Sequence, residues 1–199
     1  MHPRVDVPSG RYSGNGGPRL QRAHRLWRGL TTVFIVLAVS IPLGSLIGFR
    51  MIITSSVPKG LWFVHTGRAT RGNYVLTCLP QTVAIAGKQA GYLPPGFCPG
   101  KTLPVMKRVV AAAGDYVSVG NAGISVNGVV IAGSRRLSKD SRGRPVAGLV
   151  EATTYVVPHD AVWLLGDWFK SWDSRYYGAV PASLIIGVGV PLIVTPPGS

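Results

Sequence analysis

Acidic residues are scarce in this chain: 7 Asp plus Glu stand against 21 Lys plus Arg in 199 residues, a formal net charge of +14. Two cysteines are too few for a disulfide-dense miniprotein or a four-thiolate zinc site. Four scattered histidines include no His-Glu-x-x-His run, so the metallopeptidase pattern is missing, and no Gly-x-Ser-x-Gly elbow is present for a histidine to serve. Long helical windows are also few. With 26 Gly and 16 Pro an all-helical bundle is excluded, because turns must be frequent. Wholesale disorder is excluded too, since 46% of the residues are apolar.

The charge is unevenly placed. Residues 1–29 carry Arg4, Arg11, Arg19, Arg22, Arg25 and Arg28 against a single acid, Asp6, among many Gly, Pro and Ser, and read as a basic tail. Residues 30–49 (LTTVFIVLAVSIPLGSLIGF) hold no charge. As a helix rising ~1.5 Å per residue, such a run crosses roughly 30 Å of hydrocarbon. We read it as an uncleaved single-pass anchor: Ala38-Val39-Ser40 resembles the small-residue exit of a cleaved leader, but Pro42 and a further apolar stretch follow it. The arginine flank puts the N-terminus in the cytoplasm, so residues 50–199 are expected on the far side, with the lipid bilayer as a partner.

That outer region alternates short apolar runs with Gly and Pro. Residues 74–79, 103–110, 116–119, 123–131, 153–157, 161–165 and 185–194 read as strands of a mainly antiparallel β domain. Asn127-Gly128 between apolar flanks predicts a tight hairpin turn. The run at 134–148, with five Lys or Arg, predicts a solvated loop. It has no interleaved aromatics for base stacking, so nucleic acid is not an expected partner. Cys78 and Cys98 either bridge, in an oxidising compartment, or lie buried as separate thiols.

Chemistry is sought where the chain leaves the expected span. In Thr54-Ser55-Ser56-Val57-Pro58-Lys59-Gly60, Pro58 holds Val57 extended and Gly60 permits a sharp turn, so the hydroxyls just upstream sit on a stiffened segment. With no well-placed histidine, a lysine is the remaining base. It must be neutral near pH 7, which requires burial among apolar groups. Lys107 fits, because strand alternation puts it on one face with Val105 and Val109. Arg108 then points the other way, free to reach solvent or pair with an acid.

These residues carry a resemblance. Ser56-Val57-Pro58-Lys59-Gly60-Leu61-Trp62, Arg71-Gly72-Asn73-Tyr74-Val75, Lys107-Arg108-Val109-Val110 with Gly114-Asp115, and Ser171-Trp172-Asp173-Ser174-Arg175-Tyr176-Tyr177-Gly178 resemble, in order and spacing, the four boxes of the signal peptidase I family. The short first box, the paired cysteines and Asp140-Ser141-Arg142-Gly143-Arg144-Pro145 are most similar to its conjugative-transfer branch. The resemblance implies a signal-peptidase-like antiparallel β catalytic domain behind one N-terminal transmembrane helix, facing the periplasm from the inner membrane. It implies Ser56 as nucleophile, with Ser55 the rival, and Lys107 as general base. Thr54 would help form the oxyanion hole, Ser171 would orient the lysine, and Asp173 with Arg175 would form a structural ion pair. No cofactor or metal is implied. The implied substrate is a membrane-embedded pilin or secretory precursor, and the product an open or a cyclised chain. Two departures stand out: Asn73 where the family has an acid, and Trp168-Phe169-Lys170 in place of a more polar, acidic stretch.

Overall fold

A computed structural model describes residues 27–36, 38, 40, 44, 47–149 and 153–195. The chain divides into two compact units, residues 1–44 and 45–199. In the first, residues 27–36 are helical and exposed. Among the described residues no helix is long and apolar enough to cross a membrane. The expected anchor at 30–49 lies in part outside the described residues, and the basic tail lies outside them up to residue 26. The far end of the apolar run is not helical: residues 47 and 48 form a turn, and Phe49 opens a strand.

The second unit is built from antiparallel strands in two sheets. The first holds β1 (Phe49–Ile52), β2 (Gly60–His65), β3 (Tyr74–Thr77), β5 (Val105–Ala111), β10 (Ala161–Leu165), β11 (Val180–Pro181) and β12 (Ile185–Val194), in the order β1-β2-β12-β3-β5-β10-β11. The second holds β6 (Tyr116–Gly120), β7 (Gly123–Val126), β8 (Val129–Val130) and β9 (Thr153–Val156), in the order β8-β7-β6-β9. A short β4 (Pro95–Cys98) and two helices, α1 (Gln81–Gln89) and α2 (Ser174–Tyr177), complete the unit. The β7–β8 turn has Asn127 at φ 50° and Gly128 at φ 84°, the pair of positive angles that Asn-Gly supplies most cheaply.

Strand β5 ties three cores together because its side chains alternate and its end reaches the second sheet. Val109 packs with Val75, Leu79, Ala84 and Leu164. Met106 packs on the other side with Val57, Trp62 and Leu76. Val110 and Ala111 join the core formed with the second sheet, beside Val117, Ile124 and Trp163. Burial of these aliphatic and aromatic side chains, about 1.5–3 kcal/mol each, is the main force locating the strand. Cys78 and Cys98 are bonded to each other, with Cα atoms 5.5 Å apart, and the closed loop contains α1.

Six elements were not legible as regular structure: β1, β2, β4, β11, α1 and α2. Gly60 does not make the sharp turn expected of it. It opens β2 at φ 138°, where any Cβ would run into the Ile193 carbonyl of β12. The basic loop at 134–148 is exposed over most of its length, as expected of a solvated loop, but it is also fastened to the domain. Ser134 is buried, Arg136 donates to the Leu149 carbonyl, and the Leu137 N–H donates to Tyr176 Oη at 3.0 Å.

Candidate active site

Ser56 stands in the turn between β1 and β2. Two contacts hold that turn: Val57 is sealed in the core beside Trp62, whose indole N–H donates to the Pro58 carbonyl at 3.0 Å, and the Ser56 carbonyl accepts the Asp167 N–H at 2.7 Å. The serine hydroxyl is thus positioned from both sides of its own backbone.

Lys107 reaches this hydroxyl from the middle of β5. Its register partner on β3 is the fully buried Val75, and its side chain is 3% exposed. The Nζ donates to Ser56 Oγ at 2.8 Å and to Ser171 Oγ at 2.5 Å; the two serine hydroxyls are 3.4 Å apart. Burial disfavours the charged amine and draws its pKa from 10.5 down to about 8; Asp173 and Asp167 pull it back upward, and Arg175 opposes them. An amine with that pKa exists in part as the free base at neutral pH, which a solvated lysine does not.

Ser171 is fixed by the loop between β10 and α2. A Cβ on Gly166 would collide with the Ser171 side chain and come within 3.0 Å of the Ser56 carbonyl, so glycine is what allows the approach. The loop's shape is set by Asp173 and Arg175, both essentially unexposed and paired through Arg175 Nη2 to Asp173 Oδ2 at 2.7 Å and Nε to Oδ1 at 2.8 Å. Asp173 also accepts the Gly166 N–H at 2.8 Å. Arg175 donates to the carbonyls of Phe169 at 2.9 Å and Ser171 at 3.0 Å. This buried pair is satisfied on all sides, the condition under which such a pair is tolerated.

Thr54 is exposed and lines the same cavity as Ser55, Ser56, Lys107 and Ser171. The structure therefore brings together Thr54, Ser56, Lys107, Ser171, Asp173 and Arg175. Ser55 lines the cavity too, but the lysine hydrogen bond goes to Ser56. Cys78 and Cys98 are not among the lining residues. Asn73 turns away as well: its Oδ1 accepts from the Thr70 N–H at 3.0 Å and hydroxyl at 2.6 Å, closing a turn before β3.

One residue of the site escaped sequence reasoning. Asp167 accepts from Tyr74 Oη at 2.6 Å and pairs with Arg108 Nε at 3.0 Å, while its own N–H holds the Ser56 carbonyl. It is the acid that Arg108 was free to find. Burial, and then the hydrogen bond to Asp167, push the Tyr74 phenol up to about 12, so it stays a donor. The available signal was the scarcity of acids: one placed two residues past the apolar run 161–165, with an unmatched arginine to find, had few other uses.

The cavity is about 630 Å³, open, and lined mainly by apolar side chains such as Ile52, Leu93, Leu103, Met106 and Trp172. It suits an extended polypeptide segment with small or apolar side chains. Among the described residues no group of His, Cys, Asp and Glu is arranged to hold a metal ion.

Residues 27–193 match the family described as signal peptidase, peptidase S26. A probable conjugal transfer protein TraF of Sinorhizobium fredii is 34% identical over 182 residues, covering 90% of this chain and 95% of the relative. A plasmid transfer protein TraF of Escherichia coli is 37% identical over 150 residues, covering 74% and 84%. A conjugal transfer protein TraF of Agrobacterium fabrum is 32% identical over 173 residues, covering 85% and 96%. A solved signal peptidase I from Enterococcus faecalis aligns with 62% of this chain and 98% of its own at a TM-score of 0.35 and 20% identity.

Proposed function

This chain belongs to the signal peptidase, peptidase S26 family, and on that premise we propose that it is a membrane-anchored serine endopeptidase of conjugative transfer, with Ser56 as nucleophile and Lys107 as general base. The observation that carries the reading is the 2.8 Å hydrogen bond from a buried lysine amine to a serine hydroxyl at the floor of an apolar groove.

The free-base amine of Lys107 takes the Ser56 proton as Oγ attacks the substrate carbonyl carbon. Ser171 keeps the amine aimed, since it accepts a second hydrogen bond from Nζ and leaves fewer orientations open. The oxyanion is met by the Ser56 N–H and the Thr54 hydroxyl. A donor of this kind in a serine protease contributes about 3–4 kcal/mol to transition-state stabilisation. Lys107 then returns the proton to the leaving amine, and an ester on Ser56 remains. Water, activated by the same amine, releases an open chain. The amino terminus of the acyl chain attacking the ester instead releases a ring.

The relatives are named as conjugal or plasmid transfer proteins, which supports a pilin precursor as substrate. The arginine-rich tail and the uncharged run 30–49 support an inner-membrane anchor with the catalytic unit periplasmic. Met51 and Ile53, 66% and 79% exposed a few residues before Ser56, support catalysis at the bilayer rim, because apolar side chains so exposed are stabilised by lipid. The test is incubation of the purified full chain with a pilin precursor, read by mass spectrometry. Wild type releases a fragment and leaves either a linear product or one lighter by a water. Ser56→Ala and Lys107→Ala, folded normally, release none.

A further inference from the structure

The active-site groove is also lined by Tyr92, Leu93 and Pro94, which follow α1, and by Leu137, Lys139 and Asp140 of the basic loop. A polar latch joins the two. Asp140 accepts from Tyr92 Oη at 2.9 Å and from Arg144 Nε at 2.8 Å, and Arg144 Nη2 donates onward to the Ala90 carbonyl at 2.6 Å. The loop closes on itself as well, through the Asp140 N–H to the Arg144 carbonyl at 2.9 Å and the Val146 N–H to the Ser138 carbonyl at 3.0 Å. Lys139 is therefore carried on a braced backbone, not a wandering one.

The charges in this groove are one-sided. Among the described residues its only lining acid, Asp140, is spent on the latch. Of the three lysines that line it among those residues, Lys107 is bound to the serines. Lys139 and Lys170 have no carboxylate partner among the described residues. Lys170 Nζ lies 5.7 Å from the Trp168 ring centroid and 5.5 Å from that of Phe169, cation–π contacts that hold the ammonium beside the groove without neutralising its charge. It also directly precedes Ser171, so this cation sits within one residue of the group that aims the lysine base.

We propose that Lys139 and Lys170 form a carboxylate-recognition subsite, in which the groove selects substrate polypeptides bearing an acidic side chain or a free chain terminus near the bond to be cut. The inference rests on the groove being a polypeptide-processing site. An apolar trough alone fixes no register, because any hydrophobic segment can slide along it. One anionic group held by two cations sets the register, and with it the bond offered to Ser56.

The probes are internally quenched decapeptides with an alanine-rich centre, each carrying one Glu or the matched Gln at successive positions, in free-acid and amidated forms. They are offered to the full chain in detergent micelles and to Lys139→Ala, Lys170→Ala and the double variant. At one position Glu exceeds Gln in kcat/KM by roughly fivefold, the upper end expected of an exposed ion pair. The gain lies in KM and fades with added salt. A Glu preference identifies a side chain as the anion; a free-acid preference over the amide identifies the terminus. In the double variant the ratio falls to about one. Lys139→Gln and Lys170→Gln, which keep polar stems, guard against a folding artefact and give the same loss. If wild type cuts none of the peptides, the peptidase reading fails by itself. Fluorescence anisotropy of labelled peptides on the Ser56→Ala chain then decides the subsite by the same ratio. No carboxylate preference, or one that survives in the double variant, overturns the proposal.

Discussion

Asp167 and Ser56 meet through the backbone, N–H to carbonyl at 2.7 Å, while the Asp167 carboxylate is held by Tyr74 and Arg108. The turn bearing the serine is thereby tied to the strands bearing the lysine, and the distance between hydroxyl and amine is set by the fold. Asp167 is a positioning residue with an electrostatic side effect, since its charge raises the Lys107 pKa. Asp167→Asn removes that charge, so the half-maximum of the pH–rate profile moves to lower pH, while kcat falls by roughly tenfold to hundredfold as the geometry loosens. A fall in rate with no movement of the midpoint would assign Asp167 a purely structural role.

For the wild type, the rate depends on the free-base form of Lys107. Activity rises with pH and reaches half its plateau near 8, where burial has brought the amine. A profile flat from about pH 5 to 10 contradicts a lysine base. Ser55→Ala keeps most of the activity, whereas Ser56→Ala loses about a thousandfold or more.

The same burial weakens the fold. Between pH 8 and 10.5 the unfolded chain holds a proton on Lys107 that the folded chain has shed, so stability rises with pH through that window and the full penalty applies below it. The difference corresponds to on the order of 3 kcal/mol. Lys107→Met is therefore inactive yet melts higher than wild type at pH 7, with the advantage shrinking as the pH approaches 10.5. A lower melting temperature across the whole range would show that the amine's hydrogen bonds outweigh its desolvation.

Much of the site was readable because β5 follows the simplest rule of a strand. Alternation alone put Lys107 among valines and Arg108 on the opposite face. Most of the strand runs were readable for the same reason. Helix α1 was not, because its start lacks a capping side chain, Pro80 standing there instead, and Gly87 interrupts it. Gly87 is dictated from outside the helix: the Trp172 ring lies where a side chain would go. Strand β1 begins at Phe49, the last residue of an apolar run whose length suggested a span, and continues through the charged Arg50. The latch between Tyr92, Asp140 and Arg144 joins segments about fifty residues apart, and local pattern carries no trace of it.

Arg175→Met leaves Asp173 as an uncompensated buried charge and strips donors from the carbonyls of Phe169 and Ser171. A loss of about 3–5 kcal/mol in urea unfolding is expected. Arg175→Lys recovers little of it, because the two-point fork on Asp173 needs a guanidinium. Near-normal stability in Arg175→Met would mean that the loop carrying Ser171 is held by other contacts.

The Cys78–Cys98 bond closes a loop with a sequence separation of 20. Its loss in a Cys78→Ala, Cys98→Ala double variant costs about 3 kcal/mol on the chain-entropy view. Thiol titration of unreduced, denatured protein finds no free sulfhydryl; two free thiols would remove the bridge.

The central claim is that one amine is kept neutral beside one hydroxyl. Its most direct measurement is the NMR titration of the side-chain nitrogens in lysine-labelled full chain, with Lys107→Ala identifying the resonance. One lysine with a midpoint near 8, absent from the variant, is the expected result. A Lys107 midpoint at the ordinary value near 10.5 would contradict the account.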